Sequence, residues 1–244
     1  MKTRTVSAGH GWLWIKQAFA IFKQSPLIWM ALSVSVILIG AMLGMVPFVG
    51  SLIFQLIAPA FTAGLMIGCR AQQQGEELEI AHLFAGFKTH GSQLVTVGGI
   101  YLTGMLIIAA IVGLIGGEPL IRAMTSGHPS ADAVATTGVA SMSILPILVG
   151  FLLLIPLLMA YWFAPALIVF GNMRPIAAMK ASLAASLNNA AAFLVYGLVL
   201  FGLFILATLP LMLGFLVMIP LAFISYYTAF EDVFGDDEIG QIPA

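Results

Sequence analysis

The sequence predicts an all-α integral membrane protein whose six transmembrane helices form three repeated hairpins, each preceded by a short amphipathic cytoplasmic helix. Three observations predict this class: the composition, the long uncharged runs and an internal repeat. Hydrophobic residues make up 61% of the 244 residues and charged residues only 8%, whereas a soluble domain carries about 25% charged residues. The chain is therefore too apolar for a water-soluble globule, and residues 1–244 are treated as a single membrane domain.

Four long runs without a charged residue accommodate the spans, because a bilayer core about 30 Å thick needs roughly 20 helical residues. The runs cover residues 27–69, 94–117, 133–173 and 181–230. The spans are expected at 27–46, 50–69, 94–116 and 142–170, then in a final hairpin that starts near 193, turns near Pro210 and ends with 211–230. The first and last runs are thus long enough for two spans each.

An internal repeat orders these spans into hairpins. Residues 146–152 (PILVGFL) match residues 210–216 (PLMLGFL), and residues 19–23 (FAIFK) match residues 84–88 (FAGFK). Such self-similarity indicates a repeated supersecondary unit. The expected units are repeat 1 at about 11–70, repeat 2 at about 79–173, repeat 3 at about 174–230, and an acidic cytoplasmic tail at 231–244.

Each repeat begins with a stretch in which apolar residues recur every three or four positions, as on one face of a helix. The three predicted faces are Trp12, Ile15, Phe19 and Phe22; Ile80, Leu83, Phe84 and Phe87; and Ile176, Met179, Leu183 and Leu187. Helices of this kind lie in the headgroup plane or pack beneath a bundle. Two interpretations stay open, a structural elbow before each hairpin and a sensor of the lipid surface.

The distribution of basic residues predicts a bacterial inner-membrane protein with both termini in the cytoplasm, because cytoplasmic loops retain Lys and Arg. One predicted side has Lys2, Arg4, Lys16, Lys23, Arg70, Lys88, Arg174 and Lys180, and the other has Arg122. Residues 117–141 then form the sizeable periplasmic loop. The N-terminal residues lack a clean apolar segment that ends at a small-residue cleavage site, so we expect no cleaved signal peptide.

Small residues and prolines are expected to shape the bundle. Helices in lipid associate through close backbone approach, which small residues permit, and the predicted helix-packing residues are Gly40, Gly44, Gly64, Gly68, Gly113 and Gly117. Prolines within spans bend helices, and the predicted bends are at Pro59, Pro156, Pro165 and Pro220. These bends are either shared structural features or the walls of a lipid-accessible groove.

No residue pattern predicts catalytic, cofactor-binding or metal-binding residues. Pumps and proton-coupled carriers usually retain ionisable residues within their spans, and none lies deep in a predicted span. Cys69 is the only cysteine, which excludes an intramolecular disulfide and a CxxC site. Glu79 and His82 have the Glu-x-x-His spacing of di-iron bundles, but no second copy exists. A net charge of −1 gives no field that would attract nucleic acid.

The acidic tail directly follows the last predicted span. Its carboxylates are Glu231, Asp232, Asp236, Asp237 and Glu238. Anionic headgroups would repel them, so the tail should point into the cytosol. It is either simply solvated or a docking segment for a basic partner.

The first 90 residues carry a resemblance to a known group of proteins. Residues 11–15 (GWLWI), 47–50 (PFVG), 58–70 (APAFTAGLMIGCR) and 82–87 (HLFAGF) resemble an uncharacterised family of proteobacterial multi-pass inner-membrane proteins of unknown function. In architecture alone, the hairpin plan is also similar to the membrane domains fused to some glycerophosphodiester phosphodiesterases. Neither resemblance implies a catalytic motif on these residues.

Two functions remain open from the sequence. The first is a non-enzymatic accessory or scaffold protein of the cell envelope, which contacts other membrane proteins or copies of itself through small-residue faces and the acidic tail. The alternative is a lipid-handling or small-solute permease protein whose proline-bent hairpins surround a groove. Membrane lipids are expected partners in both.

Overall fold

The structure, a computed structural model, describes residues 3–125 and 144–235, with side chains for 3–116 and 144–235. Within these ranges every regular element is helical. The elements are α1 His10–Phe22, α2 Pro26–Gly44, α3 Val49–Gln73, a 3-10 helix Ile80–Phe84, α4 Ala85–Thr125, α5 Leu145–Trp162, α6 Ala164–Val169, α7 Pro175–Asn188, α8 Ala190–Thr208 and α9 Phe215–Phe234. The predicted all-α class is confirmed for this part of the chain.

Six stretches of the described chain are long and apolar enough to cross a membrane. They are Pro26–Gly44, Val49–Gln73, Ile80–Gly116, Leu145–Val169, Ala190–Thr208 and Phe215–Phe234. Each contains most of one predicted span, which confirms the six apolar helices expected from hydropathy. The grouping into three repeats, each with its own cytoplasmic helix, stays a prediction.

Two boundaries differ from those expected. The second amphipathic stretch is not a separate helix, because a 3-10 turn at Ile80–Phe84 leads directly into α4 and no proline interrupts the chain before Gly116. The last helix ends at Phe234 instead of Phe230, since Tyr227, Phe230 and Phe234 continue a buried face. Glu231 and Asp232 therefore belong to a helix and not to the tail.

The chain forms two compact units, Met1–Gly99 with Met159–Ala244, and Ile100–Leu158. In the first unit α9 is the central helix, since it contacts α1, α2, α3 and α8. Its buried side chains run from Met218 to Phe234. The core of this unit therefore lies around α9, which is the last helix among the described residues.

The second unit contains the adjoining parts of α4 and α5. A Cβ added at Gly104 would lie 2.9 Å from the Leu157 side chain, and one at Gly150 would lie 3.2 Å from Val112. Close approach at two glycines is how apolar helices pair in lipid. A shallow apolar groove of about 280 Å³ runs beside them, between Met105 and Phe151.

The predicted packing glycines differ in their surroundings. A Cβ at Gly64 would lie 2.6 Å from the His82 carbonyl oxygen, one at Gly68 would lie 2.9 Å from Leu78, and one at Gly40 would lie 3.2 Å from the Phe54 ring. A Cβ at Gly44 would meet no atom within 4 Å, so no close approach among the described residues requires a glycine there. Gly113 is buried, and the surroundings of Gly117 lie outside the described side chains.

Other glycines make approaches as close, although they were not among the predicted packing residues. A Cβ at Gly11 would lie 2.6 Å from the Tyr196 backbone nitrogen, and Cβ atoms at Gly86 and Gly98 would overlap carbonyl oxygens of α3. Gly86 and Gly98 have no small residue four positions away. A search for paired small residues therefore does not find them.

The predicted proline bends have two forms. Pro59, Pro156 and Pro220 lie inside α3, α5 and α9. Pro165 instead lies in the first turn of α6, a favourable position because its missing N–H is not needed there. At Pro165 the expected bend within one helix is therefore a break between two helices.

A serine from α7 occupies this break. The Phe163 N–H donates to Ser182 Oγ at 2.8 Å, and the Ser182 hydroxyl donates to the Met159 carbonyl oxygen at 2.6 Å. In an unbroken helix the Phe163 N–H would donate directly to Met159. A side chain inserted into this ladder is a recognised cause of a kink, so Ser182 satisfies the backbone groups that the break exposes.

Candidate functional site

Helix α1 is attached to the end of α9 by a polar cluster around Asp232. The Trp14 indole N–H donates to Asp232 Oδ2 at 2.7 Å, and His10 Nδ1 lies 2.7 Å from the same oxygen. The Thr228 hydroxyl donates to the Trp14 carbonyl at 2.8 Å. Because a buried indole needs an acceptor, these contacts fix which side of α1 faces α9.

Residues 4–6, here called the N-terminal strap, extend this attachment. The Arg4 guanidinium donates to the Asp232 carbonyl at 3.0 and 3.2 Å, and the Arg4 N–H donates to the Val233 carbonyl at 2.9 Å. Asn189 accepts from the Val6 N–H at 2.7 Å and donates to the Arg4 carbonyl at 3.0 Å. The strap thus joins the beginning of the chain to the start of α8 and the end of α9.

The polar groups at the end of α3 complete this end of the first unit. The Trp29 indole N–H donates to Gln72 Oε1 at 2.9 Å, and Gln72 Nε2 donates to the Ile21 carbonyl at 3.3 Å. The Tyr227 hydroxyl donates to Gln73 Oε1 at 2.7 Å and also contacts Glu231. No sequence pattern indicated a role for Gln72, Gln73 or Asn189, because their partners lie far away in the chain.

The predicted docking carboxylates fall into two groups. Glu231 and Asp232 already contact residues of this chain, Tyr227 for the first and Arg4, His10 and Trp14 for the second. Asp236, Asp237 and Glu238 lie outside the described residues. The docking hypothesis therefore depends on these last three.

Helix α1 buries a different face from the one expected. Trp14, Ala18 and Ile21 point into the core together with Ile15 and Phe22, whereas Trp12 and Phe19 are 49% and 44% exposed. Apolar residues surround most of α1, so hydropathy alone does not select the inward face. The hydrogen bond from Trp14 to Asp232 selects it, and it leaves two aromatic rings on the outer side.

These outer rings border an apolar groove, here called the α1 groove, with a volume of about 480 Å³. It is lined by Trp12, Ile15, Lys16 and Phe19 of α1, Leu203, Leu206 and Ala207 of α8, and Gly214, Val217, Met218 and Leu221 of α9. Its volume is within the range of about 300–1,000 Å³ that small-molecule sites occupy. Lys16 supplies the one charged side chain among these lining residues.

Two residues that line the α1 groove mark a close approach between α8 and the start of α9. A Cβ at Gly214 would lie 2.5 Å from the Ala207 Cα, so the two helices touch there. The aromatic side chains of α1 form another part of the wall. The wall of the groove is therefore formed partly by closely packed backbone at Ala207 and Gly214 and partly by the larger side chains of α1.

A second groove of about 370 Å³ lies between α2 and the start of α9. Ser33 lines it, is only 2% exposed, and its hydroxyl has no hydrogen-bond partner among the described atoms. Pro220 also lines it, and because proline has no N–H, the Leu216 carbonyl lacks its usual helical donor. Pro220 is the predicted bend residue that borders this groove, whereas no proline lines the α1 groove.

The Glu-x-x-His spacing has a structural role here. The Glu79 N–H donates to His82 Nδ1 at 3.0 Å, and the Glu79 side chain accepts from the His82 backbone, which together cap the 3-10 helix. Within the described residues, no group of three or more His, Cys, Asp or Glu could hold a metal ion. The two residues thus close a local turn.

These observations define a multi-pass helical membrane protein with apolar grooves. Along an alignment of 264 positions, the chain is 29% identical to a protein of Burkholderia thailandensis described as a probable inner membrane protein. The alignment covers 98% of this chain and 96% of that relative. No model of a known protein family matches the chain, and no solved structure matches it. The description of this relative agrees with the predicted resemblance to uncharacterised inner-membrane proteins.

Proposed function

We propose that this protein is a non-enzymatic accessory protein of the bacterial inner membrane that holds one phospholipid in the α1 groove. The α1 groove is the main support for this proposal. Its lining is apolar except for Lys16, and its volume suits an acyl chain. An acyl chain needs apolar contact and no buried hydrogen-bond partner. The proposal thus combines two functions that the sequence left open, an accessory role and lipid handling.

The attachment of α1 supports this proposal. The Asp232 cluster and the N-terminal strap hold α1 in place through several hydrogen bonds. A groove wall that is already ordered loses less entropy when a ligand binds. A bound lipid would therefore meet a wall that is formed in advance.

The expected orientation of the protein in the membrane predicts how the lipid would lie in the groove. With both termini in the cytoplasm, α1 would lie at the cytoplasmic headgroup level, where indole rings and lysines are favoured. The headgroup would then contact the outer side of α1. The acyl chain would extend between α8 and α9 toward Ala207 and Gly214.

Native mass spectrometry of the full chain, extracted in native lipid nanodiscs, tests the proposal. Val217→Trp fills the α1 groove, and Leu198→Trp adds the same ring to an exposed position of α8 outside it. We expect one retained lipid in the wild type and in Leu198→Trp, and an occupancy about tenfold lower in Val217→Trp, equivalent to roughly 1.4 kcal/mol. No retained lipid in the wild type, or equal retention in both variants, would contradict the proposal.

A scaffold for other membrane proteins is the second candidate. The open surroundings of Gly44 support it, since a helix from another chain could approach this position closely. The same spectra would show a stoichiometric protein partner. A truncation after Gly235 removes Asp236, Asp237 and Glu238 but keeps α9 complete, so loss of the partner there would assign docking to the tail.

A further inference from the structure

We infer that the lipid in the α1 groove is an anionic phospholipid, recognised by Lys16 and Lys23. This inference rests on the proposed function and names the class of lipid. Three residues of α1 and the residue that directly follows it carry the inference, and they are here called the basic stripe: Trp12, Lys16, Phe19 and Lys23. Their spacings of four, three and four place them in one row along the helix.

Most of the basic stripe belongs to the groove wall. Trp12, Lys16 and Phe19 all line the groove. The Lys23 ammonium lies 5.2 Å from the centroid of the Phe19 ring, close enough for a cation–π contact. Two positive charges therefore flank one aromatic ring at the rim of an apolar groove, an arrangement that suits a phosphate above an acyl chain.

No acidic residue lies near the basic stripe in the sequence. Residues 1–75 contain no Asp or Glu, and the first acidic residue in the chain is Glu76. The carboxylate that reaches α1 in the described part of the chain is Asp232, which contacts His10 and Trp14, and Trp14 lies on the buried face of the helix. Neither lysine forms an ion pair with a carboxylate among the described residues, so both ammonium groups remain available to a ligand.

Headgroup chemistry decides which phospholipid is favoured. Phosphatidylethanolamine carries an ammonium group, which Lys16 and Lys23 would repel, whereas phosphatidylglycerol carries only the phosphate charge. A basic residue near an anionic lipid surface contributes about fivefold in affinity. The two lysines together therefore predict a preference for phosphatidylglycerol of roughly 25-fold.

The test compares the two lipids on the purified full chain in nanodiscs that contain equal amounts of phosphatidylglycerol and phosphatidylethanolamine. Native mass spectrometry reports which lipid stays bound. We expect the wild type to retain phosphatidylglycerol, and the double variant Lys16→Gln with Lys23→Gln to retain a lipid with the preference lowered roughly 25-fold. Both side chains are exposed, so an unchanged thermal unfolding temperature should accompany this loss.

Lys180→Gln is the matched control, because Lys180 is an exposed lysine of α7 that does not line the α1 groove. It should leave the preference unchanged. If Lys180→Gln lowers the preference as much as the double variant, the effect belongs to the whole surface and the inference is overturned. Equal retention of the two lipids by the wild type overturns the inference and leaves the proposed function standing. Absence of any retained lipid overturns both.

Discussion

At the scale of single residues, two buried serines show how a hydroxyl acts in an apolar environment. Ser182 bridges Phe163 and Met159 across the break before α6, with both of its hydrogen bonds formed. Ser33 is buried to the same extent, yet its hydroxyl has no partner among the described atoms. An unpaired buried polar group costs about 1–3 kcal/mol, while a paired one stabilises.

The two serine-to-alanine variants should therefore have different effects on the free energy of unfolding. Ser182→Ala should lower the unfolding free energy by about 1–3 kcal/mol, because it leaves the Phe163 N–H buried without an acceptor. Ser33→Ala should leave the stability unchanged or raise it, since it removes an unpaired hydroxyl. Thermal unfolding in detergent, monitored by intrinsic fluorescence, measures both. A marked loss of stability in Ser33→Ala would show that its hydroxyl has a partner, such as a ligand in the second groove.

At the scale of helices, the spans could be predicted and their inward faces could not. Length and hydropathy alone define a span, so residues such as Pro26 and Val49 begin helices close to the expected positions. The inward face of α1 depends on a hydrogen bond between Trp14 and Asp232, which are 218 positions apart. The spacing of apolar residues within α1 does not indicate this distant contact. Trp12 and Phe19 were therefore expected on the same face as Ile15 and Phe22.

The packing glycines show the same limit, because a small residue permits close approach but does not specify a neighbour. Gly64 and Gly44 fit the same predicted pattern. A Cβ at Gly64 would nevertheless meet two backbone carbonyl oxygens, and one at Gly44 would meet no atom within 4 Å. A pattern of small residues thus identifies candidates, and the partner helix decides among them.

This difference gives a matched pair of alanine variants. Gly64→Ala should reduce the yield of folded protein and lower the unfolding temperature, because the 3-10 helix would have to move away from α3. Gly44→Ala should be neutral, or more stable by roughly 0.5–1 kcal/mol, since alanine favours a helix over glycine. Size-exclusion chromatography and thermal unfolding measure both effects. Equal behaviour of the two variants would mean that the Gly64 contact is not needed for folding.

At the scale of the whole molecule, the charge distribution predicts the orientation in the membrane. Eight basic residues on one predicted side oppose Arg122 on the other, and Arg and Lys are retained in cytoplasmic loops. The proposed lipid site depends on this orientation, because it places the basic stripe in the leaflet that faces the cytosol.

Topology reporters test this orientation directly. A reporter fused after Ala244 should read cytoplasmic, and one inserted near Gly127 should read periplasmic. The opposite pattern would move the basic stripe to the periplasmic leaflet and remove the basis for a cytoplasmic headgroup contact. A fusion near the middle of α2 serves as a control for reporters trapped within the membrane.

The N-terminal strap also has a consequence for the order of biosynthesis. Arg4 and Val6 leave the ribosome before their partners Asn189, Asp232 and Val233 are made. Until α9 is inserted, α1 lacks its hydrogen bonds to Asp232 and Thr228 and would rest on the bilayer as an amphipathic segment. The α1 groove is thus completed only when α9 is inserted, and a nascent chain that stops before α9 would lack the proposed lipid site.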